Sequence, residues 1–245
     1  MLTVAVYVAV LGFIGILLRH YILIWYGANF LGFVLAAGVM LIYKSDNHTY
    51  FGWYIILMST FHYMEFLTTA LTNPANLSVD SYLLNHSCQY GLAAIASWVE
   101  YALEYWAFGA MTTSIYLRIS SLGVIICIVG DCIRKLAMFH AGRNFNHIVQ
   151  GTKAKEHELV TDGIFSFVRH PSYLGWFLFS IGTQLTLFNP VCLAAYAFVT
   201  WHFFAERIYV EEYILLQFFG DDYEKYQKSV RHTGIPFVKG FKKND

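Results

Sequence analysis

Residues Thr161–Ser180 read TDGIFSFVRHPSYLGWFLFS. An Arg-His-Pro-Ser-Tyr cluster, Arg169–Tyr173, stands directly against an apolar run that looks like it enters a membrane. A residue before proline is pushed away from helical geometry, and proline suits the first position of a helix. The stretch therefore predicts a helix that begins at Pro171, with His170 on its threshold and Tyr173 and Trp176 as interfacial anchors. A helix start presents unsatisfied backbone N–H groups and the positive end of its dipole, where a carboxylate is well placed.

Outward from this stretch, the same pattern of long apolar run and short polar joint recurs. Candidate spans are Leu2–Leu18, Ile22–Tyr43, Phe51–Leu71, Tyr82–Met111, Ile115–Met138, Tyr173–Phe188 and Val191 to roughly Gln217. A bilayer core takes about 20 apolar residues per helical crossing. Tyr82–Met111 is long enough for one helix or two short crossings, so the count is seven or eight. Backbone groups in lipid must be satisfied internally, and no ten-residue alternation of a barrel is present, so the fold class is an all-α polytopic membrane helix bundle. Composition agrees. The 245 residues are 57% hydrophobic and only 13% charged, against about 25% charged in soluble domains. The first run has no positive residue ahead of it and no small-residue cleavage site after it, which reads as a retained helix and not a secretory signal.

Zero formal net charge gives no support to nucleic-acid binding. The charges cluster instead from Asp131 onward, at Arg134, Lys135, Arg143, Lys153, Lys155, Arg169, Lys239, Lys242 and Lys243. Lys and Arg beside membrane segments favour the cytosolic side. The polar connector 141–169 and the polar tail 220–245 are thus expected in the cytosol, dividing the chain into N-terminal membrane helices, 1–80, and a region 81–245 that holds both polar stretches. Arg19 alone votes on the N-terminus: seven spans place it in the lumen, eight in the cytosol. The sequons at Asn47, Asn76 and Asn85 lie in short loops and carry little weight.

Several chemistries lack their residues. No two of the ten histidines are three or four apart, so the paired ligands of HExxH sites are missing and no metal is expected. There is no GxGxxG, no GxxxxGK[ST] and no GxSxG. Cys88, Cys127, Cys132 and Cys192 form no CxxC and read as small buried apolar residues.

Three clusters remain. The first is Gln150 with His157, Glu158, Leu159 and Val160. The second is Arg169–Tyr173. The third is Glu206, Arg207, Glu211 and Glu212 inside an apolar helix. Each membrane-buried charge costs roughly 2.5–3.5 kcal/mol on insertion scales and usually marks a working cavity. Arg207 and Glu211 are four apart and share a helix face.

In this order, and with Gly220–Tyr226 (GDDYEKY) behind them, these residues resemble the isoprenylcysteine carboxyl methyltransferases, most of all the animal ones. The match is dense over about the last hundred residues. It implies an eight-helix endoplasmic reticulum enzyme with a cytosolic pocket for S-adenosylmethionine. The activity implied is methyl esterification of the C-terminal farnesyl- or geranylgeranyl-cysteine of prenylated, CaaX-processed proteins. By position it assigns the cofactor contacts to Gln150, His157, Glu158, Leu159, Val160, His170, Pro171, Ser172, Tyr173 and Glu211. Phe165 takes an adenine-side position often held by tyrosine. Arg207 is assigned the substrate carboxylate, with Glu211 orienting Arg207 or the cofactor. The alternatives are an NADPH-dependent sterol reductase, which shares a related C-terminal region, and a phospholipid N-methyltransferase.

Overall fold

The computed structural model describes residues 2–84, 87–109, 113–153 and 157–242, with backbone alone for 2–20 and for Asp46. Of the residues named above, Asn85, Met111, Lys155 and Lys243 lie outside the described residues, as does one of the ten histidines, His86. The described chain holds α1 (Leu2–Lys44), α2 (Thr49–Thr72), α3 (Cys88–Phe108), α4 (Ser114–Ala141), α5 (Pro171–Leu187), α6 (Pro190–Phe219) and α7 (Asp221–Ser229), joined by short 3₁₀ turns and no strand.

Two sequence expectations change here. The runs Leu2–Leu18 and Ile22–Tyr43 are one continuous helix, because nothing in the Arg19-His20 joint breaks it; neither proline nor glycine stands there. At 43 residues α1 is about 65 Å long, twice a bilayer core. The run Tyr82–Met111 does not split in two. A 3₁₀ turn, Val79–Tyr82, ends in a left-handed Leu83, and a single helix then starts behind the Ser87 cap.

α2 shows how the bundle is ordered. Tyr54, Leu57, Phe61, Glu65, Thr68 and Thr69 recur at helical spacing on its buried face. Ser59 donates to the carbonyl of Leu31 at 2.5 Å. His62 binds the carbonyl of Tyr82 at 2.8 Å through Nδ1 and the Tyr90 hydroxyl at 3.0 Å through Nε2. Polar groups thus point inward while large apolar side chains cover the outside: Phe33, Leu71, Trp106 and Phe198 are each at least 65% exposed. An apolar surface this extensive marks a partner phase other than water. By length and mean hydropathy one described segment, Tyr21–Lys44, qualifies alone as a membrane crossing. Glu65 in α2 and Asp131, Arg134 and Lys135 in α4 lower the hydropathy of those helices from within.

α4 and α5 form the tightest pair. Gly123 and Gly130 on α4 face Gly175 and Gly182 on α5, each pair seven residues apart, or two helical turns. A Cβ on Gly130 would lie 2.7 Å from the Gly175 carbonyl, and one on Gly182 2.7 Å from the Cys127 sulfur. Small residues in register let the backbones touch. α3 closes the far end. Its Glu100 carboxylate accepts the Val191 and Cys192 N–H groups, both at 2.7 Å, and so caps the start of α6. Asn189 before that start donates to the Ser97 carbonyl at 2.8 Å. Of the cysteines, Cys127 and Cys192 are buried as expected, whereas Cys88 and Cys132 sit exposed on the outer faces of α3 and α4.

Candidate active site

The ends of α4, α5 and α6 meet the connector 142–170 and α7 around an open cavity of about 150 Å³. Local sequence shapes its walls. Asn73, just past the end of α2, donates to the carbonyls of Arg143 and Phe145, at 3.3 and 3.1 Å, and pins the start of the connector. The Asn144 side chain accepts the Glu158 N–H at 3.0 Å. Gly163 turns with φ +55° against the His140 ring, where a Cβ would collide. Pro171 opens α5 with His170 in front of it, as the sequence predicts.

Every residue expected at the cofactor lines this cavity: Gln150, His157, Glu158, Leu159, Val160, Phe165, His170, Pro171, Ser172, Tyr173 and Glu211. Aromatic rings supply much of the remaining wall, from Phe145, Phe218, Phe219, Tyr223 and Tyr226. His157 packs on Phe218 and Phe219. Partial burial and then the Lys153 ammonium hold its pKa below the usual imidazole value, so the ring is neutral at pH 7. Phe165 presents its ring to the cavity while its carbonyl accepts from Tyr226 Oη at 2.7 Å.

Arg207 lies beside this cavity in a second one of about 20 Å³, walled by Leu83, Trp176, Phe203 and Phe204 among others. Phe145, Asn146 and Tyr173 belong to both. Tyr173 is the hinge. Its hydroxyl donates to Glu211, on the first cavity, and accepts from Arg207 Nε at 2.9 Å, on the second. Glu211 therefore reaches Arg207 through a phenol and not by direct pairing. The His147 carbonyl takes Arg207 Nη2 at 2.6 Å, and Nη1 has no hydrogen-bond partner among the described residues.

The other charges of the third cluster part ways. Glu206 turns outward beside His202, 3.7 Å away. Glu212 is fully buried and binds Arg169 Nε at 2.6 Å and His170 Nε2 at 3.1 Å. Arg169 also donates to the carbonyls of Val230 and Lys239, at 2.6 and 2.9 Å. The neighbouring carboxylates thus play different parts. Glu211 faces the cavity, while Glu212 and Arg169 staple the tail beneath it. Removing either partner of that staple would strand a buried charge.

Two features escape the sequence reading. Tyr223 is 1% exposed and lines the cavity, with a hydroxyl that has no hydrogen-bond partner in the described structure. Burial raises its pKa, so it stays a neutral donor. The GDDYEKY motif flagged its position without showing its direction. Arg134 and Lys135, read from the sequence as topology signals, are 2% and 7% exposed and bind Glu65 of α2. Their partner lies 69 and 70 positions away, beyond any local pattern.

The geometry defines a helical membrane-type enzyme with two joined cavities, one polar and aromatic, one apolar and cationic. Comparison with known proteins agrees. The fold superposes, with a TM-score of 0.83 and 48% identity, on a structure described as the eukaryotic intramembrane Ras methyltransferase ICMT (isoprenylcysteine carboxyl methyltransferase), covering 87% of this chain and 76% of that one. Residues 123–217 match the Isoprenylcysteine carboxyl methyltransferase (ICMT) family. The protein-S-isoprenylcysteine O-methyltransferases of Rattus norvegicus and Homo sapiens are 49% and 47% identical over 215 residues, 88% of this chain and 75% of each relative. The chain belongs to the isoprenylcysteine carboxyl methyltransferase family.

Proposed function

We propose that the chain transfers a methyl group from S-adenosylmethionine to the C-terminal carboxylate of a farnesyl- or geranylgeranyl-cysteine. The observation that carries this reading is Tyr173, whose hydroxyl joins Glu211 in one cavity to Arg207 in the next.

The first cavity suits the donor. Its aromatic walls match a purine, the carboxylates of Glu158 and Glu211 match a cationic sulfonium and ammonium, and the buried Tyr223 hydroxyl awaits an acceptor. The first turn of α5 suits an α-carboxylate. When bound, the donor supplies a methyl on a positive sulfur, which a carboxylate oxygen can take as an ester while a neutral thioether is released. An ionised carboxylate needs no general base, so this chain's residues bind, align and exclude water. Alignment of this kind is worth up to several kcal/mol.

Arg207 holds the substrate carboxylate with the Nη1 side of its planar fork. Tyr173 and the His147 carbonyl occupy Nε and Nη2 and fix the plane of the guanidinium in the second cavity. Leu83, Trp176, Phe203 and Phe204 match the isoprenoid nearest the sulfur of the prenylcysteine. About 20 Å³ is too small for a branched five-carbon unit, so the substrate opens this cavity on binding. Among its apolar walls Phe203, on α6, stands 44% exposed.

We further take the protein to be a multi-pass protein of the endoplasmic reticulum with both cavities facing the cytosol. Residues 1–80 serve as supporting helices and 81–245 as the catalytic region. The test is transfer of labelled methyl from S-adenosylmethionine to N-acetyl-S-farnesylcysteine by the purified chain. Robust transfer is expected. NADPH consumption with a sterol in its place would contradict the reading.

A further inference from the structure

Glu65 is fully buried on α2 and lies outside the walls of both cavities. Four donors converge on it. Oε1 takes Arg134 Nε and Lys135 Nζ, each at 2.5 Å. Oε2 takes Arg134 Nη2 at 2.8 Å and His147 Nε2 at 2.9 Å. Lys135 also stands 3.0 Å from Asp131, so two carboxylates face two side-chain cations and the charge cancels. Without those partners a carboxylate at this depth would be prohibitively desolvated. An ionised carboxylate only accepts, so His147 donates to it through Nε2.

His147 is the link that matters. Its ring is tethered to Glu65 while its backbone carbonyl takes Arg207 Nη2 at 2.6 Å. The second bond on the Arg207 fork comes from Tyr173, whose neighbour Ser172 is held by Arg134 Nη1 at 2.7 Å. Both supports of Arg207 thus trace back, within two side chains, to one carboxylate on a helix that touches neither cavity.

We propose that Glu65 is a positioning residue for Arg207, acting through the His147 ring to set the angle at which the guanidinium meets a substrate carboxylate. The proposal rests on reading Arg207 as the carboxylate-binding residue. It separates from a purely structural role by which ligand is affected. His147 lines the second cavity but not the first. Loss of its ring therefore disturbs the prenylcysteine and spares the donor. A general loosening of the bundle disturbs both.

The experiment uses the full chain in detergent micelles and compares wild type with His147→Ala, His147→Gln and Glu65→Gln. It reads KM and kcat for N-acetyl-S-farnesylcysteine and, separately, the calorimetric Kd for S-adenosylhomocysteine. His147→Ala is expected to raise KM about tenfold, as loss of one charge-assisted hydrogen bond warrants. The Kd is expected to stay within about twofold. His147→Gln, whose amide N–H can reach the carboxylate, restores KM toward wild type. Glu65→Gln is expected to raise KM at least as far; because it also strands Arg134 and Lys135, only its KM is compared, and if it does not fold the two His147 variants decide the matter. An unchanged KM in His147→Ala, a parallel loss of KM and Kd, or no rescue by His147→Gln overturns the proposal. Failure of the wild type to transfer methyl overturns the proposed function instead.

Discussion

Arg207 sits half-buried among aromatic rings, over Tyr173 and Phe203 at 5.5 and 5.9 Å, with two of its three nitrogens already engaged. Lysine could not reproduce that arrangement, since a single ammonium lacks the planar fork. Arg207→Ala should lower kcat/KM for the prenylcysteine by about 100-fold, in the range of removing one dedicated electrostatic donor. Affinity for S-adenosylhomocysteine, measured by calorimetry, should be largely kept, because Arg207 does not line the first cavity. Equal loss of both would assign Arg207 to the donor. At this scale the sequence was informative about which residues gather. The motifs around His157, His170 and Glu211 named much of the cavity wall but left Phe145, Phe218, Phe219, Tyr223 and Tyr226 unassigned. It was blind to side-chain direction. Glu211 and Glu212 are adjacent in sequence, yet a helix turns about 100° per residue. That turn sends one carboxylate to the cavity and the other to Arg169.

At the scale of elements, the α4–α5 pair fixes where the cavity wall stands. α5 carries Pro171, Ser172 and Tyr173 at its first turn, and its depth is set by the glycine contacts about one and three turns further along. Gly130→Leu should cost about 2–3 kcal/mol or more from overpacking, read as a lower thermal midpoint, and should weaken S-adenosylhomocysteine binding as the α5 start is displaced. Gly91→Ala is the control. Gly91 lies on α3 with open space around it, so alanine should hold or raise the midpoint. Unchanged stability in Gly130→Leu would refute the close-packed interface. The seven-residue glycine spacing was visible in the sequence, but only the pairing of two helices gives it meaning. Helix boundaries were less legible where apolar runs touch: Arg19-His20 lacks any breaker, and the Tyr82 run conceals a 3₁₀ turn whose cap is one serine.

Taken whole, the molecule buries polar groups such as Glu65, Gln184, Asn189 and Glu212 among its apolar core and exposes large apolar side chains such as Phe33 and Trp106. Its composition pointed to the membrane class. What composition could not supply was the internal wiring. Charges that read as topology signals, Arg134 and Lys135, turn out to neutralise a carboxylate on another helix. On the proposed reading, the donor and substrate cavities are joined through the Tyr173 hydroxyl. The most direct measurement is the position of S-adenosylhomocysteine bound to the purified protein, determined by electron cryomicroscopy. The account predicts its purine among the rings of the first cavity and its sulfur at Tyr173, on the side toward Arg207. A ligand seated elsewhere in the bundle, with its sulfur out of reach of Tyr173, would contradict it.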